Sequence, residues 1–397
     1  MSHLRLLGVP FGLLLLALPA LAEDKDGFVP MFDGKTLNGW VNVNCHPSTF
    51  YVKDGEIITT GRPTGYLRTA KQYENFIAEF DWMHVNKDKV GNSGFFVWCD
   101  PLPAVGTGYS RGIEVQVLVN LEYKNKKGEI TATSHGDLFS IWGAHCKPDR
   151  PHPDGWERCL PSENRAKGGG EWNHYKVTAN DGVIKLEVNG KEVSGISQCT
   201  PRKGYLALES EGAECHFRNL MIKELPSTHP KPSQIADVDR GLKSMFNGLD
   251  LSGWEADKAA WKPADGVLRS AGQSPIQSEK KYDKFELQFD WRLTGKSPTT
   301  FSFVTNDDVN VSFDFKSSKF LVSAALRWTI GVEKTELPKP GQWSRIAIKF
   351  DGGSYTIHCN GKPLAKLTTS KEGVAAPIRF NPASGLELRS IYIRDLK

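Results

Sequence analysis

The stretch Tyr73-Glu-Asn-Phe-Ile-Ala-Glu-Phe-Asp-Trp82 alternates apolar residues with wetter ones at a period of two. Its apolar positions are Phe76, Ala78, Phe80 and Trp82. The same alternation returns late in the chain as Tyr282-Asp-Lys-Phe-Glu-Leu-Gln-Phe-Asp-Trp291. A period of two predicts a β-strand that buries one face and leaves the other wetter.

Other segments repeat along with this strand, and in the same order. The repeated pairs are Met31–Trp40 with Met245–Trp254, Trp172–Gly190 with Trp343–Gly361, and Phe217–Leu225 with Leu388–Leu396. Repetition over such a length predicts two domains of one fold. We name them copy one (28–225) and copy two (242–397). The Pro-rich stretch between them, 226–241, is expected to be a semi-rigid linker.

Tight turns join the alternating runs. Asn189-Gly190 and Asn360-Gly361 each follow such a run, and Asn-Gly supplies the two positive φ angles of a type I′ hairpin. No long segment has helical periodicity with caps. We therefore predict an all-β protein made of two tandem antiparallel β-sandwiches.

The composition excludes several classes of protein. Of 397 residues, 24% are charged and 39% hydrophobic, which argues against wholesale disorder and against a polytopic membrane protein. Lys and Arg number 50 against 46 Asp and Glu, and the two signs are interspersed. Nucleic acid is therefore not an expected partner.

The N-terminal segment has the features of an export signal. One basic residue, Arg5, precedes the apolar run Leu6–Leu18, and Ala20-Leu-Ala22 follows it. This pattern predicts a cleaved signal peptide over 1–22; an uncleaved anchor is the alternative. The mature chain is expected to be secreted or periplasmic, with no membrane span.

Six of the seven cysteines lie in copy one. An even number in an exported chain predicts one to three disulfides, and Cys146 with Cys159 would close a Pro-rich loop. Zinc is the competing hypothesis, but it is disfavoured because the chain has no Cys-x-x-Cys pair.

The middle of copy one is enlarged. The chain between Trp82 and Trp172 is much longer than the corresponding segment between Trp291 and Trp343. Long insertions between strands often carry function; a disulfide-stapled cover over the sheet is the alternative.

A strand at the start of this enlarged segment carries polar residues on one face. In Arg111–Asn120 the residues Ile113, Val115, Val117 and Val119 alternate with Glu114 and Gln116. A carboxylate and an amide on one wet face, near several Trp residues, predict a sugar-binding surface; mere solvation is the alternative. The aligned strand of copy two has Ser312 and Asp314 there, so we expect one working site, in copy one.

Ser134-His-Gly-Asp137 is the second candidate. In an extended chain His135 and Asp137 share a face, which suits a His general base oriented by a carboxylate, or two ligands of a divalent ion. A loop His with a capping Asp is the structural alternative.

Several motifs taken together resemble a known family. They are the Phe-Asp-Gly to Gly-Trp opening, the Phe-Asp-Trp strand, Asn92-Ser-Gly94, Glu114-Val-Gln116, Gly170-Glu-Trp-Asn173, Val188-Asn-Gly190 and Phe217-Arg-Asn-Leu220. This set resembles the 3-keto-disaccharide hydrolase domain family over copy one, and less faithfully over copy two. The resemblance implies a concanavalin A-like jelly-roll sandwich with carbohydrate on its concave face.

The resemblance also implies an activity: cleavage of glycosides already oxidised at C3. A 3-keto group acidifies the hydrogen on C2, so a modest base can remove it and expel the C1 aglycone, after which water adds. Ordinary glycosidases need two carboxylates flanking the bond. The strand here reads Glu-Val-Gln, which favours the keto-sugar route.

The candidate site residues have distinct expected roles. His135 is expected to be the base with Asp137 as its partner. Glu114 would orient the base or, with His135, bind at most one divalent cation; no organic cofactor is expected. Substrate contacts are assigned to Gln116, Asn92 and Arg111, with Trp98 or Trp142 as the stacking platform.

The chain departs from the family pattern at two points. Val119 stands where relatives usually have Asp, and Phe95–Trp98 lacks the Arg often found there. The missing Asp and the tandem architecture support the alternative of a non-catalytic carbohydrate-binding protein of a cell surface or matrix. A scaffold that docks other exported proteins is the third hypothesis.

Overall fold

The computed structural model describes residues 26–119, 123–133, 136–294, 301–304, 310–314, 319–324, 327–332, 339, 341–368 and 375–396. The predicted signal segment 1–22 and His135 lie outside these residues.

Copy one is built of short β-strands. In chain order they are β1 (Val29–Pro30), β2 (Trp40–Val43), β3 (Phe50–Lys53), β4 (Glu56–Thr59), β5 (Gly65–Thr69), β6 (Phe76–His84), β7 (Gly91–Cys99), β8 (Gly112–Val119), β9 (Tyr123–Lys124), β10 (Ile130–Ala132), β11 (Leu138–Ile141), β12 (His145–Pro148), β13 (Arg158–Cys159), β14 (Asn173–Asn180), β15 (Val183–Val188), β16 (Lys191–Thr200), β17 (Tyr205–Ser210) and β18 (Cys215–Glu224).

Copy two continues the series. Its strands are β19 (Lys243–Ser244), β20 (Trp254–Ala256), β21 (Trp261–Ala264), β22 (Val267–Ser270), β23 (Ile276–Tyr282), β24 (Phe285–Leu293), β25 (Phe301–Val304), β26 (Asn310–Asp314), β27 (Lys319–Ala324), β28 (Arg327–Val332), β29 (Ser344–Phe350), β30 (Ser354–Cys359), β31 (Lys362–Thr368), β32 (Ala376–Phe380) and β33 (Leu386–Asp395).

Each copy is a sandwich of two antiparallel sheets. In copy one the order is β12-β16-β15-β14-β6-β18-β4-β3, with β1 beside β18, against β13-β11-β8-β7-β17-β5-β2. In copy two it is β21-β22-β33-β24-β29-β30-β31, with β19 beside β33, against β20-β23-β32-β25-β26-β27-β28. The expected all-β class with two tandem jelly-roll sandwiches is confirmed. Strand β26 occupies in copy two the place that β8 occupies in copy one.

The alternation that predicted β6 also decides its packing. Phe76, Ala78, Phe80 and Trp82 are buried in the core between the two sheets of copy one. The residues between them face outward and are less buried. In copy two, Phe285, Leu287, Phe289 and Trp291 bury the matching face of β24.

Both Asn-Gly turns are confirmed as hairpins with positive φ at each residue. Asn189 has φ 48° and Gly190 has φ 84°, and Asn360 and Gly361 have φ 48° and 77°. The first turn joins β15 to β16 and the second joins β30 to β31.

The cysteines differ from the expectation. All seven are buried free thiols, so the predicted disulfides, including Cys146 with Cys159, are absent from the structure. The thiols pack into the sandwiches as small apolar groups. Burial raises the pKa of Cys146 to about 11 and that of Cys99 to about 12, so these thiols remain protonated and unreactive.

The linker lies against copy one instead of spanning open solvent. It contains a short 3₁₀ helix, Pro232–Gln234. The amide nitrogen of Asn75 donates to the carbonyl of Pro226 at 2.7 Å, and the backbone N–H of Ala236 donates to Lys203 at 2.8 Å. Within the described residues, no helix has the length and apolar character needed to cross a bilayer.

The two copies also pack on each other. On the outer face of copy one, residues of β2, β5 and β17 and of the second half of β7 form an apolar cluster with Tyr392 of β33 and Leu242. The hydroxyl of Tyr392 donates to Asn44 at 2.5 Å. This apolar part of the outer face of copy one therefore packs against copy two, while polar residues of β8, of the first half of β7 and of the end of β17 lie elsewhere on the same face.

Candidate functional site

Three adjacent strands build the polar part of this face. Strand β7 pairs with β8, placing Gly94 opposite Gln116 and Phe96 opposite Glu114, and β17 pairs with β7 on its other side. The valines of β8 point into the core, so Glu114 and Gln116 point to the outer face as the alternation predicts.

A cluster of three carboxyl groups lies on this face: Glu114 of β8, Glu209 of β17 and Glu211 just beyond it. Gly94 lies beneath them on the intervening strand. A Cβ atom at Gly94 would be 2.8 Å from Oε1 of Glu114 and 2.9 Å from Oε2 of Glu209. The missing side chain at Gly94 therefore leaves the space in which these two carboxyls meet.

Burial and mutual repulsion set the protonation of this carboxyl cluster. Glu114 is 6% exposed and Glu209 is fully buried, and neither oxygen of Glu209 has a hydrogen-bond partner among the described residues. Burial, followed by the charges of neighbouring carboxylates, raises the pKa of Glu114 and of Glu209 well above the usual range. Burial also raises the pKa of Glu211. The cluster therefore retains at least one proton near neutral pH.

Hydrogen bonds fix the rim of the carboxyl cluster. Glu211 accepts from the hydroxyl of Tyr109 at 2.7 Å and from the amide of Asn92. The amide nitrogen of Gln116 donates to the side-chain oxygen of Asn92 at 2.9 Å. Burial, followed by the charge of Glu211, raises the pKa of Tyr109, so its hydroxyl keeps its proton. The predicted sugar-binding amides Asn92 and Gln116 therefore lie in one network with the carboxyls.

Asp137 joins this network through Arg158. Its oxygens accept from Nε of Arg158 at 2.7 Å, from the hydroxyl of Thr133 at 2.7 Å and from the Thr133 N–H at 3.0 Å. Arg158 in turn donates to the side-chain oxygen of Gln116 at 3.1 Å. Asp137 is fully buried and holds a guanidinium beside the carboxyl cluster. Its predicted partner His135 lies outside the described residues, so their pairing stays a prediction.

The two candidate platforms differ. Trp98 is fully buried in the core and its indole N–H donates to the carbonyl of Glu74 at 2.7 Å, so its prediction as a sugar platform is wrong. Trp142 is 53% exposed, and one face of its indole stacks on Tyr109 with centroids 6.1 Å apart. Arg111 lies near Trp142 and binds both oxygens of Asp100, at 2.8 and 2.9 Å.

Four residues of the site were not found from the sequence: Tyr109, Arg158, Glu209 and Glu211. Glu209 alternates with Leu206 and Leu208, as Glu114 alternates with the valines of β8, so both strands carried the same signal of a wet face. What the sequence did not provide is the adjacency of β17 and β7, which are far apart along the chain.

The described residues contain no group of three or more His, Cys, Asp or Glu arranged to bind a metal ion. Of the two predicted cation ligands, Glu114 lies within the described part of the chain and His135 lies outside it.

Comparison with known proteins identifies a family and several similar chains. The profile of the 3-keto-α-glucoside-1,2-lyase-like domain matches residues 27–223 and again 241–394. A 3-keto-disaccharide hydrolase of Bacteroides thetaiotaomicron is 23% identical over 254 residues, which cover 52% of this chain and 81% of that protein. Half of the chain also superimposes on a solved structure from Parabacteroides distasonis (22% identity, TM-score 0.39, 51% of this chain and 95% of that one). A carbohydrate-binding module from Bacillus subtilis aligns at 12% identity (TM-score 0.34, 47% and 96%).

The two profile matches together span most of the chain and coincide with the two sandwiches. The chain therefore belongs to the family of 3-keto-α-glucoside-1,2-lyase-like domains and carries two copies in tandem.

Proposed function

We propose that this protein cleaves 3-keto-glycosides, with 3-keto-disaccharides as substrates, at the carboxyl cluster of copy one. The observation that carries the proposal is the group of three carboxyls with raised pKa beside sugar-compatible amides. A carboxylate with a raised pKa is a stronger base than an ordinary surface carboxylate. That is the property required to remove the C2 hydrogen of a 3-keto sugar.

The reaction has two stages. A base takes the C2 proton and the electron pair forms the enolate of the C3 ketone. The enolate then reforms the ketone, a C1–C2 double bond forms, and the C1–O bond breaks to release the aglycone, whose oxygen takes a proton. Water adds across the C1–C2 double bond, so the net change is hydrolysis.

Glu114 is the member of the cluster best suited to be the base. Burial and the charge of Glu211 raise its pKa, whereas the charge of Arg158 lowers it. Glu209 has no such cation and only neighbouring carboxylates that act to raise its pKa further. Glu209 therefore holds its proton more tightly, and Glu114 is the one that ionises. Glu114 also retains some exposure, whereas Glu209 has none.

The surrounding groups can stabilise the enolate and orient the sugar. Arg158 is held by Asp137 and packs over the ring of Phe139 at 4.1 Å, so its positive charge is fixed next to the site. A fixed cation and preorganised donors favour developing negative charge on a ketone oxygen. Asn92 and Gln116 offer amide groups to sugar hydroxyls. The predicted signal over 1–22 supports action in the periplasm or outside the cell.

The test uses the purified full chain and a 3-keto-glucoside, with release of the aglycone followed by chromatography. Wild type is expected to release it, and Glu114→Gln to lose at least about a hundredfold in kcat/KM. The matched control is Glu187→Gln, because Glu187 pairs with Lys176 on the opposite sheet. Binding of the keto sugar without turnover by wild type would overturn the proposal and favour a non-catalytic carbohydrate-binding protein.

Two further arms separate the candidate bases. If His135 is the base, His135→Ala will abolish turnover, whereas Glu114→Gln will retain part of it. A chelator arm tests the predicted divalent cation at Glu114 and His135. Loss of activity with chelator, restored by adding the metal, would show that Glu114 is a metal ligand and not the base.

The pH dependence offers an independent check on Glu114. Glu211 contributes a negative charge that raises the pKa of Glu114. Glu211→Gln removes that charge, so the pKa of Glu114 should fall and the acidic limb of kcat/KM should move to lower pH. A limb that does not move would exclude Glu114 as the group whose ionisation controls activity.

A further inference from the structure

A cleft of about 330 Å³ lies where copy one, the linker and copy two meet. Pro103 and Trp142 line it from copy one, Arg240 from the end of the linker, and Gln288 and Arg345 from copy two. Pockets of this size hold small ligands. The cleft is distinct from the carboxyl cluster but close to it.

Trp142 gives the cleft an aromatic wall. The indole is half exposed, and it stacks on Tyr109 with the ring planes 10° apart. An exposed aromatic ring backed by a second ring presents a rigid flat surface. The apolar C–H face of a pyranose packs on such a surface.

Gln288 of copy two gives the cleft an unsatisfied polar group. Its side chain is 7% exposed, and its amide nitrogen has no hydrogen-bond partner among the described residues. A buried donor without a partner is energetically costly unless a ligand or water satisfies it. This donor therefore points to a polar ligand, as does the guanidinium of Arg111, which Asp100 fixes at the edge of the cleft.

Tyr109 connects the cleft to the carboxyl cluster. Its ring carries Trp142, and its hydroxyl donates to Glu211. Arg111, which lines the cleft, directly precedes β8, and that strand carries Glu114. Tyr109 therefore lies between the cleft and the carboxyl cluster and contacts both.

We propose that this interdomain cleft binds the unoxidised sugar of a 3-keto-disaccharide, the ring that leaves as the aglycone. Trp142 stacks on the ring, and Gln288 of copy two donates to one of its hydroxyls. The assignment rests on the proposed function for its substrate, since it places the oxidised ring at Glu114. It gives copy two a direct part in substrate choice.

The test compares a 3-keto-disaccharide with methyl 3-keto-glucoside, which has no second ring. Trp142→Ala and Gln288→Ala are each expected to lower the preference for the disaccharide, measured as the ratio of the two kcat/KM values, by about tenfold, or about 1.4 kcal/mol. Trp156→Ala is the matched control, because Trp156 is equally exposed (51%) and stacks on His152 instead of Tyr109. It should leave the ratio unchanged. An unchanged ratio in both cleft variants overturns the proposal.

A calorimetric titration with the unoxidised disaccharide separates this proposal from the proposed function, because it requires no turnover. Binding that Trp142→Ala weakens about tenfold supports the cleft even if no 3-keto-glycoside is cleaved. Turnover of both keto substrates, with no binding of the unoxidised sugar and an unchanged ratio, leaves the proposed function intact and overturns the cleft.

Discussion

Each copy has an Asp on its central strand with a basic residue opposite it on both neighbouring strands. The two clusters differ in what they contact. In copy one, His174 and Arg218 lie opposite Asp81 on the neighbouring strands of β6. In copy two, Arg345 and Arg389 lie opposite Asp290 in the same way. A Trp ring packs against the arginine in both, Trp172 under Arg218 and Trp343 under Arg389.

The copy two cluster holds a loop of copy one. Gly106 is bound through both of its backbone groups: its N–H donates to Asp290 at 2.9 Å and its carbonyl accepts from Arg389 at 3.0 Å. Arg345 donates to the carbonyl of Pro103 at 2.8 Å. The copy one cluster lies at the surface, where the side chain of His174 is 46% exposed. In copy two this sheet face has thus become an interface, and the loop that it holds leads to Tyr109 at the site.

The largest expected effect follows from the difference in burial. Asp290→Ala removes the partner of Arg345, which is bound at 2.7 and 3.0 Å and largely buried. Loss of one member of a buried pair should cost about 3–5 kcal/mol in free energy of unfolding. Asp81→Ala in copy one should cost no more than about 1 kcal/mol. Urea denaturation followed by tryptophan fluorescence measures both. Equal losses would contradict the contrast between the two clusters.

Gly106 tests the same interface from the side of copy one. It has φ 75°, and a Cβ there would lie 2.4 Å from Cβ of Trp343. Gly106→Ala should cost about 2–4 kcal/mol, because backbone strain adds to a collision between the copies. Gly34→Ala is the matched control, with φ 74° and nothing within 4 Å of the added atom. It should cost only about 1 kcal/mol. Differential scanning calorimetry of the two variants gives the comparison.

Each copy has a buried carboxyl with a shifted pKa, and the two shifts have opposite directions. Burial raises the pKa of Glu209 in copy one. Between the unfolded and the folded pKa, the folded chain therefore keeps a proton on Glu209 that the unfolded chain has lost. The resulting stability is present below about pH 4.5 and is lost as the pH rises toward the folded pKa. Glu209→Gln keeps the neutral form at every pH and should be about 1–3 kcal/mol more stable than wild type at pH 8. Denaturation at pH 5 and pH 8 provides the measurement.

Glu387 of copy two is the matched control for this effect. Burial acts to raise its pKa, but Arg269 and Arg292 bind it and lower the pKa overall. Glu387→Gln should therefore destabilise the protein at pH 8, and this loss should fade as the pH falls below about 4.5. A stabilising result at both positions would show that the two carboxyls do not differ in environment.

The fold could be predicted from the sequence because its strands and turns depend on patterns of neighbouring residues. The alternation in β6 and β24 and the two Asn-Gly turns are local signals, and the repeat shows that both copies obey them. The lengths between the repeated Trp residues also predict that the copies differ most in the middle of copy one. The free cysteines were not predicted, because export favours pairing while burial of each thiol in its own packed position does not require it.

The candidate site could be predicted only where one strand contains it. Glu114 and Gln116 were found because both lie on β8. Glu209 was missed because its meeting with Glu114 depends on the order β8-β7-β17 and on the absence of a side chain at Gly94. Trp98 was misassigned because a Trp in a mixed apolar run can face either side, and the backbone at Trp98 has φ 55°. The cleft could not be predicted at all, because it depends on how the copies pack.

The smallest expected effect comes from making the copy one cluster resemble that of copy two. The hydrogen bond and charge of Asp81 raise the pKa of His174, so its contribution to stability is present below about pH 6.5 and is lost as the pH rises through the folded pKa. His174→Arg keeps the charge at every pH and should abolish this pH dependence of stability. The gain in free energy of unfolding at pH 8 should be below about 1 kcal/mol, because the pair is exposed. Urea denaturation at pH 5 and pH 8 resolves it. A change above about 2 kcal/mol would mean that His174 is held as firmly as Arg345 is, and hence that something covers this face of copy one as copy one covers copy two.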